Sequence, residues 1–209
     1  MVRVKICGIT NREDAEAAVA AGADAVGFIF VPGTPRFLPP EAAREIVRAL
    51  PPFVVPVGVF AGSPLTEVLA AVEACGLSAV QLHGGEDAAF AAALPVRVIR
   101  AVRVRDAASL EGLAGYPAHA FLLDAYAEDR IGGTGQRIPL ALLEAARKLG
   151  RIVVSGGLTP ENVAEVVTAV RPYGVDCCTG VERAPGLKDH ARVRAFVARA
   201  RESHAAIHA

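Results

Sequence analysis

Residues 151–178, RIVVSGGLTPENVAEVVTAVRPYGVDCC, form one complete strand–helix–strand unit and decide the fold. The unit opens with a short apolar strand over Arg151 to Val154, which a glycine-rich turn follows. The spacing of the apolar residues then predicts a helix over Pro160 to Val170 and a second strand over Val175 to Cys178. Continuous apolar runs of this length are typical of parallel strands that are covered on both faces.

The same unit recurs in both directions from this stretch. The other predicted strands cover Val2 to Cys7, Asp24 to Phe30, Val54 to Phe60, Ala79 to His83, Val96 to Val102 and Ala120 to Asp124. The other predicted helices cover Asn11 to Ala21, Pro40 to Ala49, Pro64 to Ala74, Glu86 to Ala93, Ala107 to Leu113, Pro139 to Lys148 and Asp189 to Arg201. Eight such units can close into a (β/α)8 barrel, and an open doubly wound sheet is the alternative.

No change of composition and no linker interrupts the pattern. We therefore predict an α/β fold with a single (β/α)8 TIM-barrel domain over residues 1–209, in which residues 204–209 are a frayed tail. Arg strongly outnumbers Lys, a bias that fits a GC-rich genome or a thermophile. For a small thermophilic barrel, a homodimer is one expected assembly.

Composition excludes several classes of protein. The 22 basic residues balance the 22 acidic residues, so the chain has no general attraction to nucleic acid or to an anionic membrane. No apolar run approaches the roughly 18 residues of a membrane span. The four cysteines have no metal-ligand spacing, and we interpret them as reduced thiols. We expect a cytoplasmic protein without a metal, a nucleic-acid partner or a membrane partner.

Polar residues collect at the predicted C-terminal ends of the strands, where a barrel of this type carries its active site. Two glycine-containing loops, Ser155-Gly156-Gly157 and Cys178-Thr179-Gly180, follow strands seven and eight. Their backbone N–H groups could bind a phosphate, or the glycines could serve only as turns. Because both loops occur at the positions that commonly form a phosphate site, we favour a phosphorylated small-molecule substrate.

Cys7 and Asp124 are candidate catalytic residues. Lys5 shares a strand face with Cys7 and could increase its thiolate fraction, unless Lys5 pairs with Asp176 on strand eight. Asp124 follows three apolar residues, so partial desolvation could raise its pKa and suit it to act as an acid. The alternatives are that Cys7 is a small buried apolar residue and that Asp124 caps the following loop.

Three further side chains are candidate substrate ligands. The planar guanidinium of Arg36 suits a carboxylate, although Arg36 could also be an ordinary surface residue. Gln81 and His83 share a strand face and could bind substrate hydroxyls or simply satisfy one another. The segment Gly132-Gly133-Thr134-Gly135 lies in a long loop after Asp124, which could be a hinge, a lid or merely flexible.

A series of short motifs follows in order along the chain. They are Lys5-Ile6-Cys7-Gly8-Ile9-Thr10, Gly27-Phe28-Ile29-Phe30, Pro35-Arg36, Gln81-Leu82-His83-Gly84, Leu122-Leu123-Asp124, Gly132-Gly133-Thr134-Gly135, Ser155-Gly156-Gly157-Leu158 with Asn162, Gly180-Val181-Glu182 and Pro185-Gly186-Leu187-Lys188-Asp189. This set resembles the phosphoribosylanthranilate isomerase family of tryptophan biosynthesis. The resemblance implies an Amadori rearrangement of N-(5-phosphoribosyl)anthranilate to 1-(2-carboxyphenylamino)-1-deoxyribulose 5-phosphate, without a metal or an organic cofactor.

The resemblance also implies a role for each site residue. Asp124 would be the general acid that opens the sugar ring, and Cys7 the general base that takes the C2′ proton. Arg36 would hold the anthranilate carboxylate. The phosphate would be bound by the loops that contain Gly156, Gly157, Cys178, Thr179 and Gly180.

The chain departs from the family pattern at two places. The family commonly has Val-Ser-Ser-Gly where this chain has Cys177-Cys178-Thr179-Gly180, so we do not expect a hydroxyl contact to phosphate from position 178. An aromatic run is also replaced by Gln136-Arg137-Ile138. The competing interpretations are another phosphosugar isomerase or epimerase, which would not need Cys7, and a non-catalytic barrel that senses a phosphorylated metabolite.

Overall fold

The computed structural model describes residues 1–125 and 138–206, and its centre is a closed barrel of eight parallel strands. The strands are β1 (Arg3–Cys7), β2 (Ala25–Ile29), β3 (Val55–Phe60), β4 (Ala79–Leu82), β5 (Arg97–Val104), β6 (Ala120–Ala125), β7 (Ile152–Val154) and β8 (Gly174–Cys177). Consecutive strands pair with one another, and β1 also pairs with β8. The predicted (β/α)8 barrel is confirmed, and the open sheet is excluded.

Helices cover the outside of the barrel. They are α1 (Arg12–Ala20), α2 (Pro40–Arg48), α3 (Leu65–Cys75), α4 (Ala88–Ala92), α5 (Leu140–Ala146), α6 (Val163–Val170) and α7 (His190–Ala206). Within the part of the chain that the structure describes, no helix is long and apolar enough to cross a membrane.

One predicted helix is absent, and the last helix is longer than predicted. The helix expected over Ala107 to Leu113 is a single 3₁₀ turn over Ala107–Leu110, which begins with a capping box between Asp106 and Ser109. At the end of the chain, α7 continues to Ala206, so residues 204–206 of the expected tail are helical. Residues 207–209 lie outside the described residues, as do Gly132-Gly133-Thr134-Gly135 and the pair Gln136-Arg137.

A short antiparallel hairpin after β8 was not predicted. It consists of β9 (Glu182–Ala184) and β10 (Leu187–Lys188), which follow a 3₁₀ turn over Thr179–Val181. The dipeptide Pro185-Gly186 between the two strands is a common turn signal. The hairpin lies beside the C-terminal ends of β1 and β8, because Thr10 donates to the Gly186 carbonyl and the Asp189 N–H donates to the Val181 carbonyl.

The inside of the barrel is apolar at its middle and polar at its C-terminal end. Its inner apolar cluster contains Ile99, Ala101, Ala120, Leu122 and Val153. Side chains two positions apart share a strand face, so Asp124 continues the inward face that Ala120 and Leu122 begin on β6. This alternation places the Asp124 carboxyl at the mouth of the barrel.

Candidate active site

A cavity of about 100 Å³ opens at the C-terminal end of the barrel. The predicted site residues that line it are Cys7, Arg36, Gln81, His83, Asp124, Gly156, Gly157, Cys178 and Thr179. The structure thus brings together both candidate catalytic residues and the residues predicted to bind each end of the substrate. Gly180 is the one predicted site residue that does not line this cavity.

Asp124 lies in a mostly buried position beside His83. Burial, followed by the negative charge of Asp176, raises the pKa of Asp124 to about 6. Burial, followed by the positive charge of Arg103, lowers the pKa of His83 to about 4, so its imidazole is neutral near pH 7. The His83 Nε2 to Asp124 Oδ2 distance of 3.6 Å is too long for a hydrogen bond. Asp124 is therefore a carboxyl that can hold a proton close to neutral pH.

Gln81 and His83 do not satisfy one another's hydrogen-bonding atoms. The Gln81 Oε1 and His83 Nε2 atoms are buried and have no hydrogen-bond partner among the described residues. Buried polar atoms without partners are rare in folded proteins. Because both residues line the cavity, these two atoms are available to polar groups of a ligand.

Cys7 is 5% exposed, and its sulfur occupies space that Gly27 on the neighbouring strand provides. A Cβ atom on Gly27 would lie 2.7 Å from the Cys7 Sγ. Lys5 pairs with Asp176, with 2.9 Å between Nζ and Oδ1. Burial raises the pKa of Cys7, whereas the positive charge of Lys5 opposes that rise. Lys5 thus fulfils both alternatives, because it pairs with Asp176 and still favours the thiolate.

Arg36 is not an ordinary surface residue, because its side chain is only 19% exposed and binds the carboxylate of Glu182. The Arg36 Nε donates to Glu182 Oε1 at 2.8 Å, and Nη2 donates to Oε2 at 2.7 Å. Gly8 leaves room for this arrangement, since a Cβ atom there would lie 2.9 Å from the Arg36 Cδ. Glu182 belongs to the motif Gly180-Val181-Glu182, but no role was predicted for it.

The glycines after β7 are required by their backbone geometry. Gly156 has φ of 77° and Gly157 has φ of 65°, in the left-handed region that favours glycine. A Cβ atom on Gly156 would also lie 2.7 Å from the Asp124 Oδ1. Asn162 holds the loop, because its Nδ2 donates to the Gly157 carbonyl at 2.8 Å. The loop is thus fixed beside the acid, with its backbone against the cavity.

The loop after β8 packs against the loop after β7. A Cβ atom on Gly180 would collide with the backbone carbonyl of Leu158, so this glycine allows the two glycine loops to pack closely. The Cys178 Sγ lies 3.9 Å from both Lys188 Nζ and Glu182 Oε1, so this side chain is directed towards the Glu182 carboxylate. Burial raises the pKa of Cys178 to about 12, so its side chain is a neutral thiol.

Arg103 is a further residue near the site that was not predicted. Arg103 lies on β5 and pairs in register with Asp124 on β6. It is two positions after Ala101 and four after Ile99, which both face the inside of the barrel. Arg103 and His83 line a second cavity beside the mouth of the barrel. The period-two alternation along β5 was the signal that could have identified it.

None of the described residues forms a group of three or more His, Cys, Asp or Glu side chains that could hold a metal ion.

Comparison with known proteins gives consistent similarities. Residues 4–199 match the family described as N-(5'phosphoribosyl)anthranilate (PRA) isomerase. The N-(5'-phosphoribosyl)anthranilate isomerase of Pelobacter propionicus is 49% identical over 203 residues, which are 97% of each chain. The structure of the phosphoribosyl anthranilate isomerase from Thermotoga maritima has a TM-score of 0.91 and 42% identity, over 97% of this chain and 100% of that one.

Two related structures add information about ligand and assembly. A phosphoribosyl anthranilate isomerase in complex with reduced 1-(o-carboxyphenylamino)-1-deoxyribulose 5-phosphate has a TM-score of 0.87 and 42% identity, over 97% and 100% of the chains. Monomers generated from the dimeric Thermotoga maritima isomerase have a TM-score of 0.85 and 40% identity, over the same shares.

Proposed function

The chain belongs to the N-(5'-phosphoribosyl)anthranilate isomerase family, and we propose that Cys7 and Asp124 are the base and the acid of its reaction. The enzyme converts N-(5'-phosphoribosyl)anthranilate to 1-(2-carboxyphenylamino)-1-deoxyribulose 5-phosphate in tryptophan biosynthesis. The observation that carries the proposal is that Cys7 and Asp124 line one cavity together with Arg36 and the two glycine loops.

Asp124 acts first, as general acid. It donates its proton to the ring oxygen of the ribose while the bond from that oxygen to C1′ breaks. The lone pair of the anthranilate nitrogen forms the new double bond to C1′, which gives an open-chain iminium. With a pKa of about 6, Asp124 is protonated in roughly a tenth of the molecules at about pH 7, so the acid form is accessible.

Cys7 acts second, as general base. Its thiolate takes the proton from C2′, and the electron pair of that C–H bond moves to neutralise the iminium nitrogen. The resulting enolamine tautomerises to the ketone of the product. The positive charges of Lys5 and Lys188 favour the thiolate of Cys7 against the effect of burial.

Two anion sites orient the sugar between these groups. Arg36 binds the anthranilate carboxylate, and backbone N–H groups of the loops around Gly156-Gly157 and Cys178-Thr179 bind the phosphate. Gly180 supports this site by its close packing on Leu158. Gln81 and His83 bind sugar hydroxyls, since both line the cavity and each has a buried polar atom without a partner among the described residues. Holding both ends of a substrate fixes the reacting atoms and lowers the entropic part of the barrier.

The test is to replace each catalytic group separately. We expect Cys7→Ala and Asp124→Asn each to lower kcat by about 10²-fold or more, because each removes one proton-transfer group. Loss of phosphoribosylanthranilate fluorescence measures the rate. Cys75→Ala is the matched control, since Cys75 is a buried thiol at the end of α3. Near wild-type turnover in both site variants would disprove the assignment.

We also propose a cytoplasmic homodimer. All four cysteines are free thiols, which suits a reducing compartment. Apolar side chains are exposed at the N-terminal end of the barrel, where Phe53 is 94% exposed and Tyr173 48%. The Thermotoga maritima relative, which is described as dimeric, makes a second copy of the chain the expected partner for this surface.

A further inference from the structure

The hairpin of β9 and β10 places two buried charges behind Arg36. Glu182 and Lys188 are register partners across this hairpin. The Lys188 side chain is fully buried, and the Glu182 side chain is 5% exposed. Buried charges are costly to desolvate and are retained where they are paired. Neither residue needs to touch the substrate in the proposed proton transfers by Asp124 and Cys7.

Both oxygens of Glu182 are engaged by neighbouring cations. Oε1 accepts from Arg36 Nε at 2.8 Å and from Lys188 Nζ at 3.0 Å, while Oε2 accepts from Arg36 Nη2 at 2.7 Å. Lys188 also donates to the carbonyl of Cys178 at 3.3 Å, which ties the cluster to the end of β8. We refer to Arg36, Glu182 and Lys188 as the Arg36 cluster.

This bonding leaves one defined edge of the guanidinium for a ligand. A guanidinium can bind a carboxylate through the edge formed by Nε and one terminal nitrogen, or through the edge formed by its two terminal nitrogens. Glu182 occupies the first edge of Arg36. The second edge has no partner among the described residues, and Arg36 lines the cavity. The carboxylate of Glu182 therefore restricts the direction from which a second carboxylate can bind.

Lys188 determines the charge of this arrangement. Arg36 and Glu182 alone would form a neutral pair, which has little attraction for a further anion. With the ammonium of Lys188 at 3.0 Å from Glu182, the Arg36 cluster carries a net charge of about +1. The cluster can thus hold Arg36 rigidly and still attract a negatively charged group.

We propose that Glu182 and Lys188 are positioning residues that orient the free edge of Arg36 and keep its surroundings cationic, so that the enzyme selects a substrate with a carboxylate. This inference rests on the proposed role of Arg36 as the ligand of the anthranilate carboxylate. Lys188 is then a determinant of carboxylate selectivity, although its side chain is fully buried and other atoms separate it from the cavity.

The experiment compares two ligands by calorimetric titration. One is reduced 1-(o-carboxyphenylamino)-1-deoxyribulose 5-phosphate, and the other is the same molecule without the carboxyl group. The ratio of their dissociation constants isolates the contribution of the carboxylate, because both ligands carry the same phosphate and sugar chain. A variant that is merely misfolded loses affinity for both ligands.

Lys188→Met removes the charge and keeps most of the buried volume. We expect it to weaken the carboxylate ligand by about tenfold or more and to leave the carboxyl-free ligand within about threefold of wild type. Glu182→Asp keeps the charge but shortens the side chain by one methylene, so we expect a smaller selective loss with a raised KM. Lys148→Met, at an exposed position after α5, is the matched control.

Arg36→Met separates this inference from the proposed function. If Arg36→Met weakens both ligands equally, Arg36 is not the carboxylate ligand and the proposed role of Arg36 fails. If Arg36→Met is selective but Lys188→Met and Glu182→Asp are not, the role of Arg36 stands and the positioning inference is overturned. Should Lys188→Met fail to fold, Lys188→Gln and Glu182→Asp provide the same comparison.

Discussion

At the scale of single residues, the proton affinity of Asp124 is set by charges from several strands. Burial and Asp176 on β8 raise its pKa, whereas Arg103 on β5 and Lys5 on β1 lower it. His83, directly after β4, is neutral near pH 7, and Cys7 on β1 is a thiol whose pKa burial raises. The loop after β7 brings Ser155 and Gly156, which carry no charge, and Arg36 also lines the cavity.

These values have a consequence for the pH dependence of catalysis. The pKa of Asp124, at about 6, is below that of Cys7, although Asp124 must be protonated and Cys7 ionised in the reactive form. The reactive form is then a minor state between the two pKa values, and kcat/KM follows a bell. We expect its low-pH limb near pH 6 to report Asp124 and its high-pH limb to report Cys7.

Arg103→Met tests this assignment. Removing a positive charge near a carboxyl raises the pKa of that carboxyl, so we expect the low-pH limb of kcat/KM to move to higher pH. The same profile for Arg48→Met, which changes an exposed residue of α2, should match wild type. An unchanged limb in Arg103→Met would mean that Arg103 does not act on Asp124.

The sequence could identify the residues whose position depends on a strand end alone. Cys7, His83 and Asp124 were predicted because the ends of parallel barrel strands converge whatever the loops do. Glu182 and Lys188 could not be assigned, because their role depends on a hairpin that brings them to Arg36, almost 150 positions away. Arg103 was missed because an exposed arginine is by itself unremarkable.

At the scale of elements, local capping decides where several helices begin. The Asn11 Oδ1 accepts from the Asp14 N–H at 2.8 Å, and its Nδ2 donates to the Asp14 carboxylate at 2.8 Å. Asp14 in turn accepts from the backbone N–H of Lys188 at 2.9 Å. The start of α1 thus connects the first helix to the hairpin beside the active site.

Asn11→Ala should therefore destabilise the protein. We expect its free energy of unfolding in urea to fall by about 1 kcal/mol, because the first turn of α1 loses its side-chain acceptor. Arg12→Ala, one residue further on at an exposed position, should change it by less than about 0.5 kcal/mol. Equal effects of the two substitutions would contradict the capping role.

The elements that were predicted wrongly have a shared physical reason. Ala107 to Leu113 has a composition typical of a helix, but Glu111 takes extended backbone angles and Gly112 then takes a φ of 70°, so the segment ends after one turn. The hairpin of β9 and β10 is too short and too polar to show strand alternation. In neither segment does apolar periodicity determine the structure, because local turn residues end the first and the Pro185-Gly186 turn forms the second.

At the scale of the whole molecule, the two ends of the barrel differ. The C-terminal end carries the active-site cavity, whereas the N-terminal end has a cavity of about 380 Å³ bordered by Phe53 and Tyr173. The number of βα units and the closure of the barrel followed from the sequence, because each unit has its own apolar strand. The oligomeric assembly could not be predicted in this way, because the complete fold determines which apolar residues remain exposed.

The homodimer is tested by its mass in solution. We expect the wild-type protein to sediment with twice the chain mass of 21.7 kDa, because a second copy would cover the exposed Phe53. Phe53→Ser should sediment as a monomer at low micromolar concentration, while Leu140→Ser, at an exposed apolar position on α5, should not. A monomeric wild-type protein would rule the dimer out.

The pairing of β1 with β8 also determines how the chain can be connected. Lys5 and Asp176 are 171 positions apart, roughly eight times the separation of Lys5 from its partner Ala25 on β2. Since loop-closure entropy grows only with the logarithm of length, closing the ring costs about 2 kcal/mol more than pairing two consecutive strands. A circular permutant opened at the exposed turn around Gly112 would keep all eight strand pairs. The cyclic order of the units, and not the position of the termini, therefore defines this fold.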